Sequence, residues 1–453
     1  MIKLREIFCM NRGWRFRQGE PDDSNFTAFH GRFYKSPEWI KSGNHGLSRP
    51  GYPDHNWQTV DLPHDFLQQN GFDPEADVTH GSIPPNVGWY RKTFTLPESD
   101  EGRRIQLKFD GVYRDSSVWV NGHFAGRHLS GYTSFCYDIS ELLNYGGINS
   151  IAVRTDARLP ELWSYEGGGI YRDVRLIKTA PIRVDWCGTF VNAEVEENRA
   201  RLNIETRIRN DFDNPADCTV RSEIIDAGGR KLLTEESMFS IGNNETADAR
   251  QNTVLENPQR WDTENPYLYT LKTTVLINSE TVDEYTTTFG IRSFRFDPEK
   301  GFSLNGRPMK LRGVCNHQDH AGVGTAIPKS LQEWRMLRMK EMGVNALRVA
   351  HNPPTPALLD ICDRLGILVM DETRLTGSSP EFLQQLEDLV RRDRNHPSII
   401  MWSIGNEEMV VQGNAVGVKQ LKRMQDLVHK LDPSRPATYA MNCDWLNISD
   451  VHN

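Results

Sequence analysis

The stretch WSIGNEE, residues 402–408, has the residue types most directly suited to chemistry. It places two adjacent carboxylates, Glu407 and Glu408, behind an apolar run, with Asn406 just before them. Partial desolvation and a neighbouring anion can raise the pKa of a carboxyl group at a strand end, which suits a general acid. The alternative is that Glu407 caps the following helix while Glu408 lies on the surface. The residue chemistry alone leaves both interpretations open.

Two other apolar runs also end in polar residues. LRVAHNPP supplies Arg348, His351 and Asn352, and GILVMDE ends in Asp371 and Glu372. Arginine holds carboxylates bidentately, and histidine can donate to a hydroxyl or organise an acid, although a lone histidine beside Pro-Pro is often only a loop residue. We expect the two acids to form salt bridges on a pocket floor with Arg348 or Arg374; direct contact with a ligand is the alternative.

The elements that must position these residues alternate between apolar strands and amphipathic helices. This alternation is typical of a parallel sheet, and polar residues at the carboxyl ends of its strands favour a (β/α)8 barrel. The strands are predicted at 310–316, 344–350, 366–372 and 398–406, the helices at 329–342, 356–365, 380–394 and 415–431, and the start of a fifth strand at 447–453.

The residues before this region are typical of β structure. Short β-branched and aromatic runs separated by Asn-Gly and Gly-Gly turns predict a jelly-roll sandwich over 1–180, and about seven strands predict an immunoglobulin-like sandwich over 181–290. The fold class is therefore multidomain: two β-sandwiches and, over 291–453, an incomplete TIM barrel.

Composition excludes several classes of protein. The net charge of −8 gives no basic surface for nucleic acid, no long apolar segment predicts a membrane span, and seven cysteines without a CxxC pair predict neither a disulfide framework nor a zinc site. The amino terminus lacks the apolar stretch of a signal peptide, so we expect a cytoplasmic protein, or a periplasmic one if a signal has been removed.

Taken together, several blocks resemble glycoside hydrolase family 2, the β-galactosidase, β-glucuronidase and β-mannosidase group. They occur in family order along nearly the whole chain: LPHDF (62–66), GWYRKTF (88–94), GGGIYRDVRL (167–176), FGIRSFRFD (289–297), FSLNGRPMKLRGVCNHQDH (302–320), MGVNALRVAHNPP (342–354), VMDE (369–372) and RNHPSIIMWSIGNEE (394–408). The resemblance implies the same three domains and a retaining glycosidase, which uses two carboxylates about 5–5.5 Å apart.

The resemblance also implies roles for individual residues. It makes Glu407 the acid/base and Asn406 the partner of the sugar 2-hydroxyl, and it places His351 against substrate. Arg348 is expected to orient a catalytic carboxylate, and Asn352 follows as a further substrate-binding candidate. Glu408 is expected to be a bystander, because adjacent residues at a strand end point apart.

Two candidates in the first domain are less certain on residue chemistry. Asp65 could accept two hydrogen bonds from a sugar diol, or it could simply cap a turn. Trp163 could stack on a sugar face or pack in the core. Tyr165 and Glu166 are expected near the same pocket by analogy.

No metal or cofactor is predicted. Some family members hold Mg²⁺ with residues shortly after the block at 369–372, but the continuation TRLTGSS supplies no ligands. His317 and His320 have loose spacing and no evident third ligand.

The second carboxylate of the expected pair is missing, because no glutamate follows Glu408. The chain could be a fragment of a longer hydrolase, one part of an enzyme completed by another chain, or an inactive sugar-binding protein. We expect a galactoside substrate, with a glucuronide or mannoside as alternatives, and either a homo-oligomer or association with a missing carboxyl-terminal portion.

Overall fold

The computed structural model describes residues 4–20, 46–159, 161 and 164–441. These fall into two compact units: a sandwich unit of residues 6–178 and 318–328, and a barrel unit of residues 1–5, 179–317 and 329–453. The segment 318–328, which the sequence assigns to the barrel, thus clusters with the first domain. No described helix combines the length and apolar character needed to cross a membrane.

The sandwich unit consists of a four-stranded sheet, in the order β1-β10-β5-β8, and a six-stranded sheet, in the order β3-β2-β4-β9-β6-β7. Its core is rich in buried aromatic side chains, among them Trp14, Phe16, Tyr90 and Phe109. The strands β1 to β10 are Glu6–Cys9, Trp14–Gln18, Gln58–Val60, Val87–Thr95, Arg104–Phe109, Ser116–Val120, His123–His128, Phe135–Asp138, Ile148–Asp156 and Val174–Thr179.

The barrel unit begins with a second sandwich, whose two sheets have the orders β11-β12-β15 and β14-β13-β16-β17. Its strands alternate strictly: in β12, Leu202, Ile204 and Ile208 are buried, while Asn203, Glu205 and Arg207 lie on the other, partly exposed face. The strands β11 to β17 are Ile182–Val195, Arg199–Asn210, Ala216–Ile225, Lys231–Ile241, Thr246–Glu256, Tyr269–Ile277 and Glu280–Phe289.

A small meander of β18 (Phe294–Asp297), β19 (Gly301–Leu304) and β20 (Arg307–Pro308) leads into a parallel sheet of order β21-β22-β23-β24-β25. The parallel strands β21 to β25 are Gly313–Asn316, Ala346–Val349, Leu368–Glu372, Ile399–Asn406 and Ala437–Ala440, and the helices α1 to α4 are Lys329–Glu341, Pro356–Leu365, Pro380–Asp393 and Ala415–Leu431.

The fifth parallel strand is therefore Ala437–Ala440, earlier than the predicted strand at 447–453, which lies outside the described residues. Helix ends follow ordinary capping chemistry: Ser379 and Asn414 accept amide hydrogen bonds at the starts of α3 and α4, and Gly366 ends α2 in the left-handed conformation. Glu407 caps no helix, since α4 begins only at Ala415.

Candidate active site

The carboxyl ends of β22, β23 and β24 bring three predicted residues, Arg348, His351 and Asn406, together around one buried acid, Glu372. Its Oε2 accepts hydrogen bonds from Arg348 Nε at 2.9 Å and Ser403 Oγ at 2.7 Å, and its Oε1 lies 2.7 Å from His351 Nδ1. The Glu372 side chain has no exposed surface, whereas Arg348 and His351 are each 18% exposed. The predicted salt bridge between Glu372 and Arg348 is thus present, with a second Arg348 contact through Nη2 at 2.8 Å.

This buried acid fixes the orientation of the two basic side chains. An ionised carboxylate only accepts, so the proton on His351 Nδ1 points to Glu372 and the ring presents Nε2 to its other side. The His351 ring also packs edge-on against His317, with centroids 5.2 Å apart.

Arg348 connects this acid to Asn406. Its Nη2 donates to Asn406 Oδ1 at 2.6 Å, which fixes the amide and leaves the two Nδ2 hydrogens to donate elsewhere. Arg348 therefore orients Glu372 and Asn406, a choice among the neighbouring carboxylates that local sequence left open.

A β-bulge in β24 determines where Asn406 points. The register with β25 pairs Ser403 with Thr438 but Asn406 with Ala440, so an extra residue lies on β24 between the two pairs. Strict alternation would send Ser403 and Asn406 to opposite faces, yet both bond to the Glu372–Arg348 pair, because a bulge shifts the alternation by one residue.

The chain leaves β24 through a tight turn that only certain residues permit. Gly405 has φ +148°, and a Cβ there would lie 1.7 Å from Thr376 Oγ1. Glu407 follows with φ +51° and its N–H donates to Ala440 O at 2.9 Å. The Glu407 side chain is exposed beyond the carboxyl end of the strand, where a ligand can reach it.

Glu408 differs from its neighbour in its contacts. Its amide donates to the Tyr439 hydroxyl at 2.8 Å, and its carboxylate lies 3.6 Å from Arg374. Strand alternation, which was expected to separate the two glutamates, does not apply to them, because both lie past the end of β24. Burial raises the pKa of Tyr439 to about 12, and the charges of Glu408, Glu407 and Glu372 add to this shift, so the phenol stays protonated.

Tyr439, Ser403 and Thr376 were missed by the sequence analysis. Each is an ordinary residue type with no motif, and its place depends on strand pairing rather than on local sequence. Asn352 was predicted but joins no described network: its side chain is buried and its Nδ2 has no hydrogen-bond partner.

Asp371 is a clear correction. We expected it on the pocket floor, but it faces Asp393 at the end of α3, opposite to Glu372, as alternation along β23 requires. Burial first, and then the charge of Asp393, raise the pKa of Asp371 well above its usual value. Arg392 pairs with Asp393 at 2.6 Å.

Asp65, in the sandwich unit, is fully occupied by protein donors. Its Oδ1 accepts from the amides of Leu67 and Gly168, and its Oδ2 accepts from Tyr165 Oη at 2.8 Å and from the amide and hydroxyl of Thr325. These five bonds use the capacity of a carboxylate, so the structure gives Asp65 the turn-capping position rather than a diol-binding one. Its bonds to Thr325 tie the segment 318–328 to the sandwich unit, together with the bond from Arg172 Nη2 to Gln318 Oε1 at 3.0 Å.

The remaining first-domain candidates are Trp163 and Glu166. Trp163 lies outside the described residues. Glu166 is buried and accepts from Tyr132 Oη at 2.5 Å, so it is a structural acceptor. Among the described residues, no group of three or more His, Cys, Asp and Glu side chains is arranged to hold a metal ion.

Comparison with known proteins agrees with this architecture. The family profile described as "Glycosyl hydrolases family 2, sugar binding domain" matches residues 73–180, "Glycosyl hydrolases family 2" matches 182–292, and "Glycosyl hydrolases family 2, TIM barrel domain" matches 298–381 and 378–452. The chain belongs to glycosyl hydrolase family 2. The resemblance found in the sequence, and the fold class that it implies, are thereby confirmed.

Individual relatives within glycosyl hydrolase family 2 match along most of this chain. Beta-galactosidase BoGH2A of Bacteroides ovatus is 39% identical, over 98% of this chain and 55% of its own length. A beta-glucuronidase of Bacteroides fragilis is 32% identical, over 85% of this chain and 58% of its own length. A solved family 2 structure from Bacteroides cellulosilyticus has a TM-score of 0.86 at 31% identity, covering 96% of this chain and 56% of that one. The chain thus spans about half the length of the family 2 relatives it matches.

Proposed function

We propose that this chain supplies the acid/base half of a retaining exo-β-glycosidase that hydrolyses terminal β-galactosides by double displacement. The observation that carries the proposal is the network of Arg348, Glu372, His351 and Asn406 at the carboxyl ends of parallel strands, with exposed Glu407 directly after it. Hydrogen-bond donors held in place by a buried acid can bind the hydroxyls of a sugar. An exposed acid beside them can protonate the glycosidic oxygen.

In the proposed reaction, Glu407 begins as a carboxylic acid. It gives its proton to the leaving oxygen while a second carboxylate attacks the anomeric carbon, so the C–O bond to the leaving group breaks as a glycosyl ester forms. Glu407, now ionised, then takes a proton from water, and the resulting hydroxide equivalent displaces the carboxylate and releases the sugar. Asn406 Nδ2 would donate to a sugar hydroxyl throughout.

Among the described acids near Glu407, neither Glu372 nor Glu408 suits the role of nucleophile. Glu372 has no exposed surface, and its oxygens already accept from Arg348, Ser403 and His351. Glu408 is adjacent in sequence and is held to β25 by its amide. We therefore propose that the nucleophile comes from residues outside this chain, and that the 453-residue chain alone is inactive.

The preference for galactose is supported by the 39% identity to a protein named as a beta-galactosidase. A glucuronide is the second candidate, since a 32% identical relative is named as a beta-glucuronidase. Comparing kcat/KM for nitrophenyl β-galactoside and β-glucuronide on a complete enzyme that contains this chain decides between them. A higher value for the glucuronide would overturn the galactoside assignment.

The role of Glu407 is tested on the same enzyme with Glu407→Gln and, as matched control, Glu408→Gln. General acid catalysis contributes about 10²–10⁴-fold, so we expect Glu407→Gln to lose that factor on a poor leaving group and much less on dinitrophenol, which needs little protonation. Equal losses on both leaving groups, or equal losses in the two variants, would refute the assignment. Turnover by the 453-residue chain itself would refute the proposal that its nucleophile lies outside this chain. If the longer protein binds sugar but does not hydrolyse any glycoside, it is a sugar-binding protein instead.

A further inference from the structure

A cavity lies in the barrel unit, between the outer face of the β11-β12-β15 sheet and the segments that precede β24 and β25. Its volume is about 310 Å³, and an adjoining cavity of about 150 Å³ shares Phe190, Asn192 and Arg394 with it. Arg394 and Lys430 come before the parallel strands rather than after them, so this groove lies at the edge of that sheet opposite to Glu407. Pockets of about 300 Å³ and above are in the range that holds small ligands.

The floor of the groove carries a row of three asparagines. Strand register places Asn192 opposite Asn203 and Asn203 opposite Asn252, so their side chains repeat across the sheet at the spacing of about 4.8 Å between strands. Within this row, Asn203 Nδ2 donates to Glu194 Oε1 at 3.3 Å. Each amide offers donors and an acceptor on a flat surface, which matches the vicinal hydroxyls of a saccharide.

The wall of the groove is cationic. Arg394 is only 4% exposed, lies 4.4 Å above the Phe190 ring, and has an Nε–H without a hydrogen-bond partner. Arg250 and Lys430 also line the cavity, and one carboxylate, Glu205, lies 3.5 Å from Arg250 and 4.0 Å from Arg394. Among the residues that line the cavity, three cations stand against one acid, and Glu194 adds a second acid at the edge of the floor, so the net charge is still positive. A buried unpaired N–H is the feature that a bound anion would satisfy.

We infer that this groove, here called the asparagine groove, binds an acidic saccharide. The asparagine row would hold hydroxyls, and Arg394, Arg250 and Lys430 would hold a carboxylate or sulfate group of the same sugar. The site is separate from the proposed active site, so it can bind substrate-like chains at a distance from the point of cleavage. It does not rest on the proposed function.

The test is titration calorimetry on the 453-residue chain at low ionic strength, with saturating galactose present to occupy the active site. The probes are trigalacturonate, a sulfated galactobiose, neutral galactotriose and sodium sulfate. We expect the two acidic saccharides to bind more tightly than galactotriose and sulfate. The double variant Arg250→Glu, Lys430→Glu should weaken their binding by about tenfold or more, because two reversed charges repel the anionic group that the wild-type residues attract.

The matched control is Arg230→Glu, on the same sandwich but outside the groove. Arg230 and Arg250 are similarly exposed, at 78% and 75%, and each has one acidic partner, at 3.2 Å and 3.5 Å. We expect Arg230→Glu to bind the acidic saccharides as tightly as wild type. We also expect all variants to keep the wild-type melting temperature. Equal weakening by Arg230→Glu, sulfate bound as tightly as the saccharides, or no binding of either acidic probe would each overturn the inference.

Discussion

Replacing Glu372 with glutamine tests the central claim that one buried acid organises the site. Glutamine has nearly the same shape, but it carries an NH₂ group where the carboxylate has an acceptor oxygen. Since Arg348, Ser403 and His351 all donate to Glu372, the new NH₂ must face one of these donors, and Arg348 loses its charge partner.

The magnitude follows from the burial of the pair. Removing one member of a buried ion pair costs about 3–5 kcal/mol. Arg348 keeps 18% exposure and its bond to Asn406, so part of its charge stays solvated and bonded, which favours the low end, about 3 kcal/mol. This corresponds to an increase on the order of 100-fold in the opening of the local structure.

The assay is hydrogen–deuterium exchange of peptides covering β22 and β23, compared between Glu372→Gln and Glu408→Gln. Glu408 is 37% exposed and has its arginine at 3.6 Å, so the control should change stability by less than about 0.5 kcal/mol. Exchange in β22 and β23 that is the same in both variants would refute the argument that Glu372 holds the site together.

Three further predictions concern the same unit. Gly405→Ala should lower the free energy of unfolding by about 2–4 kcal/mol and impair activity. The φ of +148° would strain the backbone of an alanine, and the new Cβ would lie 1.7 Å from Thr376 Oγ1 and overpack the site. Burial and Asp393 raise the pKa of Asp371 well above 3.8, so the contribution of this group to stability falls as pH rises above that value. The variant Asp371→Asn, which cannot ionise, should therefore gain melting temperature relative to wild type as the pH is raised. Burial opposes protonation of His396, but the paired Asp363 outweighs it and raises the pKa from 6.5 to about 8, so His396→Gln should lose about 2 kcal/mol below pH 6.5 and little above the raised pKa.

Each of these has a matched control in the same chain. Gly71→Ala adds a Cβ that meets nothing within 4 Å, Asp426→Asn changes an exposed acid on α4, and His55→Gln changes an exposed histidine. Thermal and urea unfolding measured across pH compare each pair. A control that behaves like its partner would show that the stated contact is not the cause.

Much of the barrel region could be predicted from local patterns. The four helices begin and end within a residue of the predicted bounds, because capping residues and amphipathic periodicity are properties of neighbouring positions. The salt bridge between Arg348 and Glu372 was predictable for a related reason: both end adjacent parallel strands, and such ends meet at one edge of a sheet.

The sequence by itself thus determined the order of sheets and helices, the family, and the cluster of polar residues after β22, β23 and β24. The tertiary structure alone decided which way those residues point. The bulge that turns Asn406 inward, the position of Tyr439 beneath Glu408 and the pairing of Asp371 with Asp393 depend on register between segments distant in sequence. A shift of one residue in register reverses the face of every side chain that follows, and no local pattern encodes it.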